Sequence, residues 1–316
     1  MRKTDFAVAA ALAVTLFAWG LSYVWTKIAL AEMGPFTLAC ARFSLATGLF
    51  ALAFAVSGRR PRPLSRADHG RLFLLSLLQP VGHFAFETCG LVLTSASAAA
   101  CIVAAIPLAV VGLDAALGRG RAGLSDLARV AASMAGVACV VAGGAGPGPG
   151  GGKLAGDLLM VGAVAATAGY VVAGGALARR LDALTVTFVQ LAWGAVLFAP
   201  ACAFELAGRG WPQLTASAAA ALAALTVLAS FAAFACYNFV LARLPAARAA
   251  LWLNAVPVVT ALAAWAALGE RLSPLEAAGG VMVLAAVAAP ASGGKSAGAP
   301  RGLGKGPAFR EGKGAR

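Results

Sequence analysis

From Phe6 to about residue 290 the chain is a succession of apolar blocks roughly 20 residues long, separated by short turns. At 1.5 Å per residue, a helix of that length crosses the roughly 30 Å hydrocarbon layer of a bilayer. A large soluble protein of buried helices would need a polar face on most of its helices, and few of these blocks have one. Composition points the same way. Of 316 residues, 61% are hydrophobic and only 12% charged, against about 25% charged in ordinary soluble domains.

The blocks fall at residues 6–28, 35–57, 71–91, 95–117, 126–143, 154–178, 183–201, 217–241, 245–268 and 273–290, which predicts ten spans. The basic residues test that count. Of 25 Lys and Arg, 20 lie at the termini and in or beside the loops after spans 2, 4, 6 and 8. Lys27, Lys153, Arg209 and Arg271 lie on the other side, and Arg42 lies inside span 2. Cytoplasmic loops carry the excess of positive charge, so both termini are expected in the cytoplasm of a bacterial-type cell. The net charge of +13 is therefore spread over loops and tail. It implies a lipid bilayer as partner and not nucleic acid.

Residues 144–153 read as a Gly/Pro linker, and 291–316 as a disordered basic tail with almost nothing to bury. The N-terminal charge and apolar run resemble a signal peptide, but the spans that follow favour an uncleaved first span. Six cysteines fall singly in apolar stretches with no metal-ligand spacing and read as packing residues. No nucleotide-binding or metalloenzyme motif occurs, so no cofactor and no enzymatic activity are expected.

The chain also repeats itself. SASAAACIVAAIPLAVVGLDAAL (95–117) and ARAALWLNAVPVVTALAAWAAL (247–268) place Pro107 and Pro257 in matching settings 150 residues apart. At the same offset Ala99-Ala100 matches Ala249-Ala250, and Phe84 matches Phe234. Residues 1–143 and 154–290 then form two five-span repeats. An odd number of spans turns the second copy over, so the fold class is an all-α membrane protein of two inverted repeats. Proline inside a span removes a backbone donor, so Pro107 and Pro257 are expected to kink spans 4 and 9 as hinges.

The segments LFAWGLSYVWTKIAL…GPFTLACARFSLA and LPAARAALWLNAVPVVTALAAWAALGERLSPLEAAGG resemble the drug/metabolite transporter superfamily, in particular its ten-span EamA-type members. The likeness covers roughly residues 6–290, and it lies more in the order of the motifs than in any one of them. It implies an inner-membrane secondary transporter, often an exporter of amino acids or related metabolites. The cavity would be lined mainly by spans 1, 3, 4, 6, 8 and 9. One departure concerns the acidic residue that often follows the fourth span, mirroring Glu270; Gly118-Arg119 stands there instead.

Gln79, His83 and Glu87 recur every four residues on one face of span 3. Ionisable residues inside a membrane are costly and default to a functional reading. Glu87 is the candidate proton-coupling carboxylate and His83 its partner or a substrate ligand. The bland alternatives are a mutual hydrogen bond, or a wet Glu87 near the span end. Trp19, Tyr23, Tyr170, Tyr237, Trp252 and Asn254 complete the candidate substrate-binding set, with Trp19 and Trp252 judged too deep for interfacial anchors. Arg42 is expected to be a structural ion-pair partner on a peripheral span, with snorkelling or attraction of a substrate carboxylate as alternatives. Without an ATP site, uphill transport would use an ion gradient, with protons as the candidate ion, or exchange. Two repeats can complete a pathway in a monomer, and a homodimer stays open. A lipid or drug translocator and a non-transporting scaffold or sensor are the competing functions.

Overall fold

The computed structural model describes residues 3–118, 123–144, 152–178, 180–241, 243–244 and 252–289. Arg119, most of the linker (145–151), the start of the ninth block (245–251) and the tail from 290 lie outside the described residues. Every regular element among the described residues is helical.

The first half comprises α1 (Lys3–Leu30), α2 (Pro35–Ser57), α3 (Arg66–Ser76), α4 (His83–Leu93), α5 (Ala96–Val103), α6 (Ile106–Ala116) and α7 (Leu124–Gly144). The second comprises α8 (Gly152–Ala178), α9 (Ala183–Arg209), α10 (Ala216–Ala224), α11 (Ala233–Leu241), α12 (Val256–Leu268) and α13 (Pro274–Ala288). Eight continuous or broken helices of 20 to 28 residues are long and apolar enough to cross a membrane. The ninth and tenth blocks appear as shorter apolar helices, Val256–Leu268 and Pro274–Ala288. The seventh block runs on to Arg209, eight residues past its expected end, so Arg209 closes a helix and does not sit in a loop.

Helix ends follow local chemistry. Pro35 and Pro274 occupy first-turn positions, where the missing N–H is no loss. Ser95 and Thr215 accept the N–H groups of Ala98 and Ala218, and Ser273 forms a capping box with Glu276. Gly58 ends α2 at φ 66°, a left-handed position that a side chain would strain.

Four spans are broken, in two matched pairs. A wide turn at Leu77–Gly82 separates α3 from α4, and another at Leu225–Ala232 separates α10 from α11. In the first, Pro80 follows Gln79, whose backbone leaves the helical region (φ −145°, ψ 121°), through a cis peptide bond. Turns at Ala104–Ala105 and Asn254–Ala255 interrupt spans 4 and 9. Pro107 and Pro257 therefore do not kink a continuous helix as expected. Each is in the first turn of a new one, where its fixed φ suits a helix start.

The halves pack through matched pairs. Helix α1 lies against α10–α11 and α12, as α8 lies against α4 and α5–α6; α2 pairs with α9 and α7 with α13. Exchanging the halves leaves this set unchanged. Apolar side chains gain little by leaving lipid for protein, so close backbone approach has to supply the contact. A Cβ added to Gly136 on α7 would stand 2.8 Å from the Gly279 carbonyl of α13. One added to Gly156 on α8 would stand 2.8 Å from the Leu93 side chain. The large apolar side chains left outside, such as Val56, Phe204 and Trp265, suit lipid.

Candidate functional site

Three of the four helix breaks, through Gln79, Ala104 and Asn254, line one cavity of about 390 Å³, and Phe234 and Tyr237 reach it from just past the fourth. Breaks make sites because they release backbone groups from the helix ladder. The Ala229 carbonyl, in the second wide turn, accepts Trp19 Nε1–H at 3.2 Å. The Gln79 carbonyl, in the first, accepts Gln190 Nε2–H at 3.3 Å. Gln79 and Ala229 are 150 residues apart, so the repeat presents the same backbone acceptor twice.

One wall of the cavity is charged. His83 is buried, with Nε2 2.9 Å from Glu87 Oε2. Its Nδ1 lies 2.8 Å from Thr167 Oγ and 3.2 Å from the Ala163 carbonyl. Those neighbours suit either protonation state. A neutral ring donates from Nε2 to Glu87 and accepts the Thr167 hydroxyl at Nδ1. A charged ring donates from both nitrogens, while the Thr167 hydroxyl turns to donate elsewhere. Glu87 is 5% exposed, which removes the reading of a wet carboxylate near the span end.

Arg42 corrects its expectation most sharply. It is buried, but among the described residues no carboxylate comes within ion-pair distance of it. Its Nε–H donates to Ser230 Oγ at 2.7 Å, and its guanidinium carbon stands 4.8 Å from the Phe84 ring centre. Span 2 is thus no peripheral strut, because Arg42 lines the cavity beside His83 and Glu87.

Another part of the wall is aromatic. Trp19 packs edge-on to Phe234 at 5.4 Å and against Tyr237 at 5.2 Å. Tyr23, Gln79 and Asn254 also face the space, as do both prolines. Two expected ligands do not. Tyr170 donates to Gln190 Oε1 at 3.1 Å between α8 and α9, away from the cavity lining. Trp252 is 58% exposed and lines a separate apolar groove with Leu12 and Arg243, which is where an interfacial anchor belongs. Sequence reasoning missed Thr167 and Ser230, since hydroxyls are common in apolar helices and carry no spacing signal. It also missed the break at Gln79, although Pro80 inside span 3 marked it.

A polar network ties one end of the bundle together. Lys27 Nζ donates to the Thr94 carbonyl at 2.6 Å, and the Thr94 hydroxyl donates to Asp157, which is fully buried. Glu270 accepts the N–H groups of Ala96 and Ser97 at 3.0 and 3.1 Å, with Lys27 at 3.9 Å. A carboxylate there meets the positive end of the α5 dipole. Lys153 pairs with Glu276 at 2.6 Å alongside.

Such a bundle, apolar outside and holding a cavity with buried ionisable side chains among duplicated broken helices, has the architecture of a polytopic membrane transporter. The EamA-like transporter family model matches twice, over residues 6–142 and 154–289. The chain belongs to the EamA-like transporter family. It is similar to two proteins of Archaeoglobus fulgidus, each described as an uncharacterized transporter. One is 30% identical over 280 residues, covering 87% of this chain and 94% of that protein; the other is 24% identical over 273 residues, covering 86% and 94%. A solved crystal structure, 20% identical, shares the fold with a TM-score of 0.60, covering 89% of this chain and 95% of its own. At the level of the family, the protein is a multi-pass secondary transporter of small molecules.

Proposed function

We propose that the protein is a ten-span secondary transporter that moves a small polar metabolite, an amino acid or related compound, out across the cytoplasmic membrane. Both termini lie in the cytoplasm, and the shorter helices α12 and α13 belong to spans 9 and 10. The observation that carries this reading is the cavity itself. It gathers a buried His83–Glu87 pair, an Arg42 with no carboxylate partner among the described residues and a group of aromatic rings where three helix breaks meet.

The packing supports two inverted halves, because exchanging them preserves every major helix pair. Five spans per half then put the relating axis in the membrane plane, so that rocking one half against the other opens each side in turn. The turns before Pro107 and Pro257 serve as hinges, since the regular ladder slips there to three-residue spacing, Ala105 N–H bonding Ile102 at 3.0 Å and Ala255 N–H bonding Trp252 at 3.1 Å. His83 and Glu87 hold the coupled proton, and the Thr167 hydroxyl adjusts to its arrival or departure. Uptake and efflux of a metabolite panel in reconstituted vesicles, with and without a pH gradient, tests this reading. A gradient that drives no metabolite in either direction overturns the proton-coupled mechanism.

A further inference from the structure

Arg42 is 5% exposed, yet only its Nε has a hydrogen-bond partner among the described residues. Burying a guanidinium is costly unless charge and hydrogen bonds compensate. Here the protein supplies one hydroxyl, from Ser230, and two aromatic faces, Phe84 at 4.8 Å and Phe43 at 5.8 Å from the guanidinium carbon. The nearest candidate counter-charge in the cavity, Glu87, lies outside ion-pair distance of Arg42 and is bonded to His83 at 2.9 Å. The terminal nitrogens of Arg42 thus keep a planar fork of donors at the cavity wall, the shape that binds two oxygens of one oxyanion.

We propose that Arg42 is the anion-recognition group of this cavity. The transported molecule carries a carboxylate or another small oxyanion, which sits on the Arg42 fork. Its aromatic or apolar body lies against Trp19, Phe234 and Tyr237. The inference rests on the reading of this cavity as the transport site and narrows its substrate class. A volume of about 390 Å³ suits such a small molecule.

Binding to the purified full-length protein in lipid nanodiscs tests the subsite apart from transport. Four probes share one ring: phenylacetate, phenyl phosphate, phenylacetamide and 2-phenylethylamine. Phenylacetate or phenyl phosphate should bind about tenfold or more tightly than the neutral amide, and whichever oxyanion binds tighter identifies the source. Arg42→Gln should erase that preference, and Arg42→Lys should keep part of it. If Arg42→Gln does not fold, Ser230→Ala should weaken the anion several-fold and leave the amide unchanged. Equal binding of anion and amide, tightest binding of the amine, or a preference that survives Arg42→Gln would overturn the proposal. Anion binding that needs Arg42, without vesicle flux of the same probe, leaves the subsite standing and counts against the transport reading instead.

Discussion

His83 Nε2 and Glu87 Oε2 stand 2.9 Å apart on one face of α4, one helical turn below the break at Gln79. Glu87→Gln keeps the size of the side chain and a carbonyl that still accepts from Nε2–H, but it removes the charge. The variant should fold and insert normally, and its flux should fall to the level measured without a pH gradient. Flux that still responds to the gradient would remove Glu87 from proton coupling.

At the charged end of the bundle, Thr94→Val removes the hydroxyl that donates to Asp157. Asp157 is fully buried and its second carboxylate oxygen already has no partner among the described residues. The variant should lose about 1–3 kcal/mol, the usual cost of stranding a buried polar group. Asp157→Asn, whose amide carbonyl still accepts from Thr94, should lose less. Thermal unfolding in detergent orders the two.

Glu270→Ala takes the acceptor from the amides of Ala96 and Ser97. Hydrogen exchange at the start of α5 should speed up, while α4 keeps its protection. Unchanged exchange at those two amides would show that water replaces the cap at no cost.

Close packing of α7 on α13 predicts a contrast between glycines. Gly136→Val would drive a side chain onto the Gly279 carbonyl, 2.8 Å from the new Cβ, and should cost about 1–3 kcal/mol by overpacking. Gly48→Ala, on α2, meets nothing within 4 Å and should stabilise the helix by up to about 1 kcal/mol. Unfolding temperatures of the two variants should move in opposite directions.

Glu32, in the turn between α1 and α2, accepts the hydroxyl and the backbone N–H of Thr215 at the start of α10. Those hydrogen bonds hold its carboxyl below the usual carboxylate range. A carboxyl lowered on folding adds stability above its unfolded pKa, about 4.3, and loses it as pH falls through the folded value. The unfolding-temperature gap between wild type and Glu32→Gln should therefore be present at pH 7 and close on acidification.

Much of the architecture is legible in the sequence, because lipid imposes a length and a polarity on every span that residues cannot disguise. The loops beside Arg59 and Arg180 and the matched prolines are visible one residue at a time. The site is less so. His83 and Glu87 stand out, because charge in an apolar span is rare. Arg42 does too, but its role depends on whether an acid lies opposite, and spacing along the chain does not carry that. Tyr170 and Trp252 show the converse: an aromatic ring looks the same in sequence whether it faces a cavity, a neighbouring helix or lipid.

The cluster of Lys27, Thr94, Asp157 and Glu270 has a thermodynamic consequence. Moved by 150 residues, those positions read Leu177, Leu244, Ala7 and Gly120. A chain whose halves matched at every position would hold its two orientations at equal free energy, as mirror wells of one landscape. Polar side chains at four positions whose counterparts in the other half are apolar remove that equality. A difference of about 1.4 kcal/mol is enough to leave the empty carrier ten to one on a single side. On the proposed inverted-repeat reading, such a resting bias would be set by four residues outside the cavity lining.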